Sequence, residues 1–193
     1  MTCFKTHDTP AGFMSMCFGF HNYFIPTGLQ KTIHNDFGGN MAGTFSQIYI
    51  QVVFAVQGRQ NLLHKEWRNE VFKYMSGIIK NKGQKPIIVN GVEDHVHVFI
   101  GLKPVMALSD LVRDVKNNST NFINDHEWIK GKFNWQEGYG AFSYSHSQIG
   151  SGYDYILNQE KHHTKQTFKD EYLDFLKKFE IEHDVKYLFE WIQ

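Results

Sequence analysis

From residue 44 onward the hydrophobic residues follow two periods in turn, and this alternation constrains the fold more than any other feature of the chain. Residues 44–56 (TFSQIYIQVVFAV) form a β-rich run. In 64–81, Trp67, Val71, Met75, Ile78 and Ile79 recur at three- and four-residue spacing, which predicts an amphipathic helix ending at Gly83. Residues 86–92 (PIIVNGV) and 96–102 read as strands, with Glu93-Asp94 at the turn between them. Leu108, Leu111, Val112, Val115, Phe122 and Ile123 predict a second helix over 108–123. The aromatic stretch 133–145, broken by Gly138 and Gly140, reads as a bulged strand. Two more helices are expected: 149–162, entered through Gly150-Ser151-Gly152, and 167–179, capped by Thr167 with acidic residues in its first turn. The order β-α-β-β-α-β predicts an α+β, ferredoxin-like split βαβ fold. Its antiparallel sheet would carry helices on one face, with C-terminal helices following.

With 193 residues there is enough chain for one domain and an appendage. The appendage is expected at residues 1–40, where Phe, Gly and His are scattered without period. Patterned sequence begins just after Met41, so 1–40 is expected to be a non-native or disordered extension and 41–193 the domain. No apolar run of about 18 residues exists, so no membrane span or membrane partner is expected. Both cysteines, Cys3 and Cys17, fall in the first forty residues. A disulfide framework and a cysteine zinc site are thereby excluded from the domain, which fits a reducing cytoplasm. Net charge is zero, yet residues 59–85 carry seven basic side chains against two acidic ones. Such a local basic face suits either solvent or a phosphate backbone.

The chemistry gathers around "EDHVHVFIGL", residues 93–102. Residues two apart on a strand share a face, so His95 and His97 point one way and Val96 and Val98 the other. Paired imidazoles are half a metal site, or else a pair of core histidines satisfied by neighbours. In "GYDYILNQEKHH", residues 152–163, Tyr155 and Gln159 lie about 40° apart on a helix, whereas Tyr153 points nearly opposite to Gln159. If that helix faces the histidine strand, Gln159 brings an oxygen ligand and Tyr155 a phenol to one place, with His162 on the same face. Asp94 would point away from the histidines unless the turn bends it back.

"DHVHVFI" followed some sixty residues later by "YILNQ" resembles the single-tyrosine HUH transposases, the insertion-sequence and REP-associated tyrosine transposases. The resemblance extends through "LSDLVRDVKNNSTNFIN" and "WQEGYGAFSYSHSQI" and covers about 44–193. It implies a DNA transposase that cleaves and rejoins single-stranded DNA through a 5′-phosphotyrosine. Tyr155 would be the nucleophile, and His95, His97 and Gln159 would hold Mg²⁺ or Mn²⁺. It also implies hairpin-ended DNA as partner and a homodimer that exchanges tyrosine helices about the glycine-rich entry. Arg59, Lys82, Arg113, Lys116 and His162 are the candidate DNA contacts. Trp135, Tyr139, Phe142 and Tyr144 are suited either to base stacking or to the core.

Three other readings compete. A histidine-triad nucleotide hydrolase needs a third alternating histidine, and Phe99 stands there. A rolling-circle nickase or relaxase usually has a longer chain with paired tyrosines or three histidines. A non-catalytic DNA-hairpin binder would not need Tyr155, Gln159, His95 and His97 to meet in space.

Overall fold

The computed structural model describes residues 45–184 together with Leu188, so the expectation for residues 1–40 lies outside the described residues. The elements in chain order are β1 (Tyr49–Ala55), α1 (Arg68–Asn81), β2 (Lys85–Gly91), β3 (His95–Gly101), α2 (Leu108–Asp125), β4 (Gly140–Tyr144), α3 (Ile149–Leu157), α4 (Gln159–His163) and α5 (Phe168–Lys178). The four strands form one sheet in the order β2-β3-β1-β4, every neighbouring pair antiparallel. This is the split βαβ arrangement that the alternating periods predict.

Period-2 alternation divides the strands between two cores. Val52, Phe54, Val96, Val98 and Ile100 pack against Val71, Met75 and Ile79 of α1 and Leu111, Val112, Val115 and Ile123 of α2. Val53 and Ala55, on the other face, pack with Phe142 and with Phe168, Tyr172, Phe175 and Leu176 of α5. The split-repeat helices thus share one face, and the C-terminal helices cover the other. Each large apolar side chain so buried contributes about 1.5–3 kcal/mol.

β3 is buried along its whole length and central in the sheet, next to β1. The turn feeding it from β2 is tight. A Cβ on Gly91 would lie 2.3 Å from the His95 carbonyl oxygen and 2.9 Å from Val96 Cα, so only glycine fits there.

Three boundaries differ from the sequence reading. The 133–145 stretch is a strand only from Gly140. Before it, Phe133 is held by Asn124 through paired hydrogen bonds of 2.8 and 3.1 Å, Trp135 makes one isolated bridge to Val56, and Gly138 turns the chain at φ 76°. Trp135 and Phe142 go to the core, while Tyr139 and Tyr144 are half-buried. Secondly, Gly150-Ser151-Gly152 is not an entry loop, because α3 already begins at Ile149. A Cβ on Gly152 would approach Phe99 at 3.1 Å, so this glycine serves close packing of helix on sheet.

Thirdly, the single helix expected over 149–162 is two. Asn158 leaves helical geometry (φ −95°, ψ 22°) between Leu157 and Gln159. Asn90 of β2 donates its amide to the carbonyls of Ile156 (2.8 Å) and Leu157 (3.2 Å), which satisfies the helix end at this break. Among the described residues no helix is long and apolar enough to cross a membrane.

Candidate active site

His95 and His97 sit side by side on β3, their rings 5.1 Å apart and fully buried. They face α3, α4 and α5, as their alternation with Val96 and Val98 predicts. Each imidazole is fixed from behind through Nδ1. Asp94 Oδ1 lies 2.7 Å from His95 Nδ1, so the turn does bend this carboxylate back toward the ring. Gln51 Nε2 lies 2.8 Å from His97 Nδ1. Phe168 stacks on the His95 ring at 4.0 Å.

The Nε2 atoms converge on Glu171 of α5, whose Oε2 is 3.5 Å from both. The Glu171 side chain is 2% exposed, and its Oε1 accepts from the Tyr155 hydroxyl and from Gln159 Nε2, the latter at 3.0 Å. His163 completes the group, its Nε2 3.1 Å from Glu171 Oε2 and 3.0 Å from Gln159 Oε1. The structure therefore brings together His95, His97, Tyr155 and Gln159, all four named from the sequence. His162 packs edge-on against the Tyr155 ring at 4.7 Å.

Glu171 is the residue that sequence reasoning missed. An acidic residue in a helix's first turn ordinarily complements the helix dipole, and Asp170 beside it does so while bonding the Thr167 cap. The available signal was its place in the stripe Phe168, Tyr172, Phe175 and Leu176, where a carboxylate is out of keeping with an apolar face.

Charge in this pocket is strongly coupled. Burial alone would raise the Glu171 carboxyl, but His97, His163 and His95 outweigh it and hold the group well below the usual carboxylate range. Burial lowers His97. It also opposes the His95 cation, but Asp94 and Glu171 prevail and His95 is raised. Burial, reinforced by the Glu171 charge, pushes the Tyr155 phenol far above its ordinary value, so it stays protonated.

The donor set fits a divalent cation. His95, His97 and Glu171 each offer a ligand atom, and these atoms lie within 4.8 Å of one another. The two histidine Nε2 atoms are buried without a hydrogen-bond partner, and both face Glu171 Oε2. Orphaned buried polar atoms are costly, and two that point at one carboxylate are what a bound ion would satisfy. Two imidazoles with a carboxylate suit Mn²⁺, and oxygen donors suit Mg²⁺.

The remaining sequence candidates lie elsewhere. Lys82 pairs with Asp114 at 2.5 Å, and Arg113 with Asp110 at 2.8 Å, both around α2 on the far side of the sheet. Lys116 is half-buried, its ammonium donating to the carbonyls of Gln136 (2.5 Å) and Gly138 (2.9 Å). The Arg59 side chain lies outside the described residues.

Fold and site together define an α+β protein with a buried His-His-Glu group beside a tyrosine, and comparison with known proteins gives the family. A family model described as "Transposase IS200 like" matches residues 44–159, more than half of the chain. The chain belongs to this family, and a transposase function comes with that membership. It is similar to a solved structure from Deinococcus radiodurans R1 assigned as a transposase, at 20% identity and a TM-score of 0.51, covering 62% of this chain and 96% of that one. At that identity the likeness speaks for the fold alone. A REP-associated tyrosine transposase bound to a REP hairpin is similar at 12% identity and a TM-score of 0.48, over 64% of this chain and 73% of that one. No curated protein matches the chain.

Proposed function

We propose that this chain cleaves and rejoins single-stranded DNA at hairpin-bearing element ends, with Tyr155 as the nucleophile. One observation carries the reading: the Tyr155 hydroxyl is bonded to the same carboxylate that faces the free Nε2 atoms of His95 and His97. In attack, Tyr155 Oη forms a bond to phosphorus and the phosphorus–O3′ bond breaks. The phenolic proton passes to an acceptor as the bond forms, the departing 3′ oxygen takes up a proton, and the products are a 5′-phosphotyrosine and a free 3′-hydroxyl. The energy of the broken ester is kept in the adduct, so the strand can be rejoined without another energy source.

His95, His97 and Glu171 would hold Mg²⁺ or Mn²⁺, with the Gln159 oxygen beside them. When bound, such an ion neutralises non-bridging phosphate oxygens and stabilises the charge of the transition state. The chain's own contribution is placement and proton handling. Glu171 Oε1 aims the phenol and is the nearest acceptor for its proton. Gln159 Nε2, donating to the same oxygen, keeps that carboxylate in place. Asp94 and Gln51 fix the two rings.

In this reading the group assembles within one chain, which the Tyr155 ring 6.2 Å from that of His97 supports. His162, against the Tyr155 ring, is our nearest candidate for a DNA contact. Lys82 and Arg113 would have to exchange carboxylate partners for phosphates.

Covalent trapping tests the proposal. The protein is mixed with labelled single-stranded hairpins from its own element ends and Mg²⁺ or Mn²⁺, then run on a denaturing gel. A metal-dependent adduct, lost in Tyr155→Phe, is expected. DNA binding with metal present and no adduct would refute cleavage and leave a non-catalytic hairpin binder.

A further inference from the structure

We infer that Gln51 is a positioning residue whose buried amide sets which nitrogen of His97 carries the proton, and so whether His97 can take a cation. The inference rests on the reading that His95 and His97 hold a metal ion. Gln51 lies on β1, is fully buried, and stands out as the polar residue in the strand YIQVVFA. Its amide bridges two groups: Nε2 is 2.8 Å from His97 Nδ1, and Oε1 accepts from the Tyr144 hydroxyl at 2.7 Å.

In this arrangement the amide N–H donates to Nδ1, so the proton of a neutral His97 sits on Nε2, the atom that faces Glu171. A protonated nitrogen has no lone pair for a cation. A half-turn of the amide exchanges its oxygen and nitrogen. Oε1 then accepts from Nδ1–H, the Nε2 lone pair is exposed, and the Gln51 N–H donates to Tyr144 Oη. A phenol both donates and accepts, and Tyr144 is only half-buried, so in the turned state its oxygen accepts from Gln51 while its own proton turns to solvent.

His95 has no such freedom. Its Nδ1 partner is the Asp94 carboxylate, an acceptor only, which keeps the proton of a neutral His95 on Nδ1 and leaves the Nε2 lone pair for a cation. One metal ligand is therefore preset by a carboxylate, and the other is governed by a neutral amide that rotates. The Gln51 oxygen is what lets His97 bind.

Titration of the full chain with Mn²⁺, read from the spectroscopic signal of the free ion, tests this in wild type, Gln51→Leu, Gln51→Glu, Tyr144→Phe and His97→Ala. Gln51→Leu should weaken binding about 10- to 100-fold, the usual cost of losing a group that orients a ligand. Gln51→Glu should equal or exceed wild type, since a carboxylate accepts from Nδ1–H as Asp94 does. Tyr144→Phe should cost less than Gln51→Leu, because it removes only the far anchor of the amide.

A packing role alone predicts the reverse order, with the buried charge of Gln51→Glu the worst. That order, or unchanged affinity in Gln51→Leu, overturns the inference while loss of binding in His97→Ala still upholds the metal site. Should Gln51→Leu not fold, Gln51→Glu decides: binding weaker than wild type overturns the inference. Wild type that binds no Mn²⁺, or binding unaffected in His97→Ala, overturns the metal reading and this inference with it.

Discussion

Tyr155→Phe removes one oxygen and leaves the ring among its neighbours, His162 at 4.7 Å and Phe175 at 5.6 Å. Its effect on stability can therefore be worked from a single bond. The hydroxyl donates to Glu171 Oε1, and a hydrogen bond to a buried ionised group contributes about 1.5–3 kcal/mol. Oε1 keeps its bond from Gln159 Nε2 at 3.0 Å, so it is not stripped bare, and the lower end of about 1.5 kcal/mol applies. In a chain of this size each kcal/mol moves Tm by about 2–4 °C, so the variant should melt about 3–6 °C lower.

The assay is a thermal melt at pH 7 with chelator present, so that no cation contributes. The sign with pH follows from Glu171. Its folded pKa is depressed, so the stability it contributes is full above the unfolded value of about 4.3 and is lost as pH falls below it. Both proteins should weaken together in acid, the gap closing only where the folded carboxyl takes up its proton. An unchanged or higher Tm for Tyr155→Phe at pH 7 would refute the reasoning, because the phenol would then owe nothing to Glu171.

Other outcomes are also expected. Mn²⁺ at a hundred times its dissociation constant should stabilise the wild type by about 2.7 kcal/mol, seen as a rise in Tm that disappears in His95→Ala. Asn90→Ala should cost about 1–2 kcal/mol in a urea titration, since two carbonyls at the break between α3 and α4 lose their donor. Lys116→Met gives up both carbonyl contacts and the ammonium over the Phe54 ring. Stability should fall by about 1 kcal/mol, while the salt dependence of DNA binding keeps its slope; a slope smaller by about one would instead make Lys116 a phosphate contact.

Much of the fold was legible because each strand and helix has its own period and the order of elements leaves few topologies. The histidine pair was legible for the same reason, since alternation on one strand fixes which side chains share a face. Tyr155 and Gln159 were found by helical spacing, although the helix is in fact broken between them. The local signal is slight, one asparagine whose side chain takes the Asp154 carbonyl, and the rest comes from Asn90, some seventy residues earlier, which takes the carbonyls of Ile156 and Leu157. Glu171 escaped because an acid near a helix start has an ordinary explanation, and only the apolar stripe around it argues otherwise. Gln51 escaped in the same way, one amide in an otherwise apolar strand whose partner is a histidine on another strand.

The break at Asn158 divides labour along the chain. The phenol rides on α3, whereas Gln159 stands at the head of α4 and is tied to Glu171 and His163. Each side of the break is held by its own contacts: α3 by Gly152 seated against Phe99 and by the phenol on Glu171, α4 by Gln159 and His163. A substitution that loosens one helix therefore leaves the other its own seat on the sheet.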